Sequence, residues 1–291
     1  MTRRGTILFA LMCVIWGVPY LLIKVAVRDL SPAALVFART GIGSLVLVPI
    51  AAARGELIPV LRRWKPLLAY TVIEIAGPWL MLSSAEKRLS SSLSGLLVAT
   101  VPLVGVVLSR MFRDRERIDS GVLGGLVIGL LGVVAVVGLD VGGSSLGAVA
   151  MVAVVVVGYA AGPIIIARSL TQLPGLGVVA ASLALCAIGY APFAALSAPS
   201  HMPGARVLAA VLTLGLVCTA LAFVLFFHLI AEIGPLRATV ITYVNPAVAL
   251  TLGVVFLGES FGIGTALGFT LILVGSYLST RRRAALALAA P

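Results

Sequence analysis

The sequence predicts an all-α integral membrane protein, ten transmembrane helices arranged as two inverted five-helix repeats. Three observations lead there. Of 291 residues, 61% are hydrophobic and 11% charged, against roughly 45–50% and 25% in a soluble domain. The charges gather in short clusters between apolar stretches of about 20 residues, the length that crosses roughly 30 Å of hydrocarbon. A set of landmark residues then returns about 143 positions later in the chain, which marks an internal repeat. No sizeable soluble domain fits this pattern. A net charge of +11 would point to nucleic acid in a soluble protein, but here it suits the Lys and Arg bias of cytoplasmic loops. The partners expected are therefore the lipid bilayer and a small molecule, with no nucleic acid.

The first span, 5–27, follows Arg3 and Arg4. That pair echoes a twin-arginine signal, yet no Ala-x-Ala cleavage site follows, so the segment reads as an uncleaved helix. Within it Trp16, Tyr20 and Lys24 recur at i, i+4 and i+8 and share one face. The second span, 32–53, contains Arg39, and the third, 66–85, contains Glu74 and Trp79. A charged turn, Glu86-Lys87-Arg88, leads into serines 90 to 92, which suit a helix start. The fourth span, 90–109, carries Pro102. The fifth, 120–139, carries Gly121, Gly125 and Gly129, a double G-x-x-x-G that lets helices approach closely in lipid, either within the monomer or at a dimer seam.

The remaining spans are 146–167, with Tyr159, then 175–196, 207–230, 238–257, with Pro246, and 261–279. Runs such as Val122 to Val137 are apolar on every side and of helical length, which excludes a β-barrel's alternating strands. With the N-terminus in the cytoplasm, the clusters around Arg62, Arg110, Arg117 and Arg282 all fall inside, while only Lys24, Arg28, Lys87, Arg88 and Arg206 fall outside. The bias puts both termini in the cytoplasm, with the plasma membrane as the expected location.

The repeat rests on Pro49 with Pro192, Gly121 with Gly264, Gly125 with Gly268, Gly132 with Gly275 and Glu116 with Glu259. Pro102 with Pro246 and Phe112 with Phe256 match one position later. The expected units are 1–139 and 140–283, followed by a short cytoplasmic tail, 284–291. Five spans is an odd number, so the second unit enters the membrane from the opposite side and the two are related by an axis in the membrane plane.

Trp16-Gly17 in span one, Arg39 in span two, and the stretch from Ala238-Thr-Val-Ile-Thr-Tyr-Val-Asn-Pro246 to Phe256-Leu-Gly-Glu259 resemble the EamA-type members of the drug/metabolite transporter superfamily. The first repeat departs from that pattern, with Phe112-Arg-Asp-Arg-Glu116 in the corresponding place. The resemblance implies secondary transport of small metabolites or drugs, often export.

Arg39 and Glu74 are ionisable residues deep in spans, each costing roughly 2.5–3.5 kcal/mol at a helix centre. Counting the helical rise from each membrane edge puts them at similar depth, within a long arginine's reach. They then form either a structural ion pair or a cavity lining, with Glu74 holding a proton or substrate cation and Arg39 its counter-charge or a substrate carboxylate. Trp16, Tyr20, Trp79 and Tyr159 are candidates for an aromatic wall around a substrate, or for ordinary packing. Asn245, one residue before Pro246, is a candidate ligand in a kinked helix, near Thr242 and Tyr243. The candidate substrate-binding set is thus Glu74, Arg39, Trp16, Tyr20, Trp79, Tyr159 and Asn245.

Cys13, Cys186 and Cys218 lie in apolar stretches without Cys-x-x-Cys spacing, and His201 and His228 have no second ligand nearby, so neither disulfide, metal nor cofactor is expected. No Walker A sequence appears. Gly143-Ser-Ser-Leu-Gly147 matches G-x-S-x-G but lacks a strand-turn-helix context. The reading is a secondary transporter rather than an enzyme. It exports by alternating access around a central cavity, with protons as a candidate coupling ion. The alternative is an integral-membrane enzyme acting on a lipid-linked substrate.

Overall fold

The computed structural model describes residues 2–112, 120–140, 145–199, 201–238 and 240–289. Ten helical rods account for most of them: α1 (Arg3–Ala26), α2 (Pro32–Ala53), α3 (Trp64–Ala85), α4 (Ser91–Met111), α5 (Gly121–Leu139), α6 (Leu146–Leu170), α7 (Gly175–Leu196), α8 (Ala205–Ile233), α9 (Ile241–Leu257) and α10 (Ile263–Thr280). Among the described residues, nine of these are long and apolar enough to cross a membrane, and α9 is a shorter apolar helix of 17 residues. Each lies within a few residues of a span expected from the sequence. One element was not expected: a short helix, Leu57–Arg62, precedes α3. The Glu116 half of the acidic repeat, and Gly143 and Ser144 of the Gly143 to Gly147 motif, lie outside the described residues.

The rods are not uniform. α1 is interrupted at Trp16 and Gly17, just before Pro19, whose missing N–H and ring bulk disrupt the preceding turn. α4 breaks at Ala99 and Thr100, two residues before Pro102. α9 differs, running unbroken through Pro246. α3, α6 and α8 each contain a π-helical stretch, Thr71–Ala76, Ile166–Leu170 and Leu216–Leu221. One of these follows directly from a proline: Pro78 cannot donate to the turn before it, and the backbone there adjusts by widening.

The helices of the first half pack mainly against those of the second. α2 runs along α7, α5 along α10, and α4 along α9; α1 meets α8 and α9, while α6 meets α3 and α4. Exchanging every helix for the one five places along maps this set of contacts onto itself. α5 and α10 approach closely. A Cβ added to Gly275 would come within 2.5 Å of the Gly125 carbonyl oxygen, and one on Gly125 within 2.6 Å of the Ser279 nitrogen. Nothing larger than hydrogen fits there, so the G-x-x-x-G face of α5 is filled by α10 of the same chain. Large apolar side chains such as Leu45, Leu130 and Ile188 remain exposed on the outside, as a surface solvated by lipid requires.

Candidate functional site

The polar centre is assembled from both halves. Arg39 projects from α2 and is 8% exposed. Its Nε donates to Thr219 Oγ1 of α8 at 2.9 Å, and its guanidinium lies over the Trp79 ring of α3, 3.7 Å from the centroid. Thr219 can accept in that direction because its own hydroxyl proton is given to the Leu214 carbonyl at 2.8 Å, five residues back across the π turn of α8. Small residues admit the contact. A Cβ on Gly215 would meet the Ile42 side chain at 2.6 Å, and the Cβ that Gly43 lacks would lie 2.9 Å from the Thr219 methyl.

Glu74 sits on the π turn of α3, and α6 faces it. A Cβ at Gly162 would occupy the space of the Glu74 carboxyl group. Its Oε2 is buried and has no hydrogen-bond partner. The sequence expectation that Arg39 reaches Glu74 is therefore corrected: Arg39 is bound by Thr219 and Trp79, and the two charges are not paired. Residue counting gives both a similar depth, but rotation about the helix axes turns Arg39 toward α8. Thr219 and Glu74 occupy corresponding π turns in the third helix of each half, so the site is acidic on one side and hydroxylic on the other.

Tyr20 from α1 and Tyr159 from α6 complete the cluster. Tyr159 is within interaction range of Arg39, Glu74 and Trp79, and Tyr20 is near Tyr159 and Arg39. Trp16 and Asn245 have other contacts. Trp16 packs on Phe226 and Phe223 of α8, with centroids 4.6 and 5.8 Å away. With its amide nitrogen turned toward the carbonyls, Asn245 donates to Cys13 O at 2.9 Å and Ile241 O at 3.0 Å. Its side chain ties α9 to the break in α1, where Gly17 leaves room for Val248.

Two cavities, of about 300 and 200 Å³, open near the ends of the helices; neither is lined by Arg39 or Glu74. The larger is lined by Lys24, Val27, Arg28, Glu86 and Lys87. Lys24 does not extend into solvent; its Nζ donates to the main-chain oxygens of Glu86 and Leu89, at 2.6 Å each. Glu86, just past α3, is completely buried with neither carboxyl oxygen hydrogen-bonded. Burial pushes that carboxyl well above its ordinary value, with nearby Glu259 acting in the same direction and Lys24 and Arg39 acting against it.

Glu259 has a structural role that the sequence did not disclose. Its carboxylate caps α4: Oε1 accepts from Ser91 N at 2.6 Å, and Oε2 from Ser92 N at 2.9 Å, Ser92 Oγ at 2.6 Å and Ser91 Oγ at 3.1 Å. An anion is favourable at a helix N-terminus, where unpaired N–H groups converge. The bond crosses from the second half to the first. Ser90 satisfies a further donor, Leu93 N, at 3.1 Å, in keeping with the helix start read from the serines.

The model of the EamA-like transporter family matches the chain twice, over residues 3–138 and 146–281. This chain belongs to the EamA-like transporter family. It is similar to an uncharacterized inner membrane transporter, YedA, of Escherichia coli (strain K12), at 30% identity over 93% of this chain and 90% of that one. An uncharacterized transporter of Archaeoglobus fulgidus is 26% identical over 95% of this chain and 99% of its own length. A protein of known crystal structure shares the fold with a TM-score of 0.69 at 22% identity, covering 97% of this chain and 99% of that one. The EamA family assignment and the apolar helices together make this a multi-pass membrane transporter.

Proposed function

We propose that this EamA-family protein is a secondary exporter of small metabolites or drugs, working by alternating access between two inverted five-helix repeats in the plasma membrane. The observation that carries the reading is the buried cluster of Arg39, Glu74, Trp79, Tyr159 and Thr219 at the junction of the halves. Burying two ionisable groups without pairing them is costly for a protein that only has to fold. A transporter gains from that cost, because a substrate or coupling ion supplies the missing partner during the cycle. The self-mapping contact set supports the repeat, since equivalent contacts can exchange as the site turns from one face to the other. In this reading α9 serves as the tenth span, the boundary between units falls between α5 and α6, and both termini face the cytoplasm.

Glu74 is the group suited to carry a proton, standing without a cation beside it on a widened turn. The test is metabolite profiling of cells and medium with wild type or Glu74→Gln at matched membrane levels. Wild type is expected to deplete at least one compound from cells, and Glu74→Gln to lose both this export and its pH dependence. Equal export by both at every pH would remove Glu74 from the mechanism, and no wild-type export would overturn the function.

A further inference from the structure

Arg39 is oriented by two contacts, and the outer edge of its guanidinium is left free. Its Nε is committed to Thr219, and Trp79 stacks on one face of the plane. Thr219 is itself held by Leu214 across the π turn. Among the described residues, the two terminal nitrogens make no hydrogen bond or ion pair, which leaves four N–H donors at the outer edge of the fork without an acceptor. The group is permanently charged, it is almost fully buried, and neither Glu74 nor Glu86 is bonded to it. A fixed cation in this position, with its bidentate edge vacant, lacks one planar acceptor of single negative charge.

We propose that Arg39 is the recognition residue for a carboxylate on the transported molecule, with Thr219 as the residue that positions it. The proposal rests on the transport reading and adds the substrate class to it. A carboxylate offers two coplanar oxygens that match the two terminal nitrogens, with one charge against one charge. A phosphate monoester fits less well, because its second charge would stand in the low-dielectric centre with no second cation; none of the other cluster members, Tyr20, Trp79, Tyr159, Thr219 and Glu74, is basic. Trp79 fixes the plane in which the carboxylate must lie. Thr219 fixes the rotation within that plane.

The experiment uses full-length protein in proteoliposomes loaded with a small-molecule extract of the expression host, with the external medium profiled over time. Wild type is expected to release compounds that carry a single carboxylate, and the uncharged amide of a released compound is expected not to compete for its transport. Arg39→Gln should abolish this release. Arg39→Lys keeps the charge without the fork and should raise KM at least tenfold. Thr219→Val keeps the shape and leaves Arg39 in place, so it tests positioning even if the arginine variants do not fold. It should raise KM several-fold with kcat little changed, while Thr219→Ser restores the wild-type KM. Release only of compounds lacking a carboxylate, equal competition by the amide, or an unchanged KM in Thr219→Val would overturn the proposal and leave transport standing. No release at all by folded wild type would overturn the transport reading and this proposal with it.

Discussion

Removing the Glu259 carboxylate should weaken the protein at one end of the bundle without disturbing the centre. The carboxylate accepts four hydrogen bonds from Ser91 and Ser92, two of them from backbone N–H groups in the first turn of α4. Loss of an N-terminal capping acceptor costs about 1 kcal/mol. Loss of a negative charge from that end costs about 0.5 kcal/mol more. Ser91 and Ser92 are buried, at 0% and 2% exposure, so their stranded donors add roughly 1–2 kcal/mol. Because Glu259 is itself partly exposed, water recovers some of this, and the expected cost of Glu259→Ala is about 2–3 kcal/mol, with Glu259→Gln at about half. The assay is reversible unfolding in mixed detergent micelles, run as a double-mutant cycle with Ser92→Ala. Once Glu259 is gone, Ser92→Ala should cost almost nothing further. Wild-type stability in Glu259→Ala, or full additivity in the cycle, would refute the capping argument.

Three further outcomes follow from the same geometry. Gly275→Leu should prevent folding, because its side chain would enter the backbone of α5 at Gly125, whereas Gly105→Leu, with nothing within 4 Å of the position, should be recovered at wild-type level on size-exclusion chromatography. Gly162→Ala should reproduce the transport defect of Glu74→Gln by displacing its carboxyl group, with the melting temperature lowered by only a few degrees; unchanged transport would argue that the carboxyl position is immaterial. Glu86 gives a pH signature. Its carboxyl is raised by burial in the folded protein, so the folded state holds the proton more tightly than the unfolded chain. Stability is then fully present below the ordinary value of about 4.5 and declines as pH rises toward the folded value. Glu86→Gln should therefore stabilise the protein at neutral pH in thermal unfolding, with the gain vanishing near pH 4; a gain that grew at low pH would contradict the assigned burial.

The sequence by itself determined what depends on distance along the chain. Hydropathy over about 20 residues is set by local composition, so the helices, their order and their approximate ends could be read directly, and so could the serine start of α4. Glycine spacing showed that α5 offers a flat face, while the structure decided that α10 of the same chain fills it. Family membership was legible in scattered motifs for the same reason, since each is a short local string.

Only the tertiary structure decided which side chains meet. Counting residues assigns Arg39 and Glu74 a similar depth, but depth says nothing about rotation around the helix axis. The close packing that Gly43 and Gly215 permit turns Arg39 onto Thr219, in the other half of the chain. Trp16 and Asn245 had the residue types of a binding site and became helix-packing contacts, while Tyr20, Trp79 and Tyr159 converged on the centre. Pro102 and Pro246 look equivalent in sequence, yet one helix breaks and the other does not. A proline only removes a donor, and whether the turn opens depends on what the neighbouring helices offer the carbonyls it leaves behind.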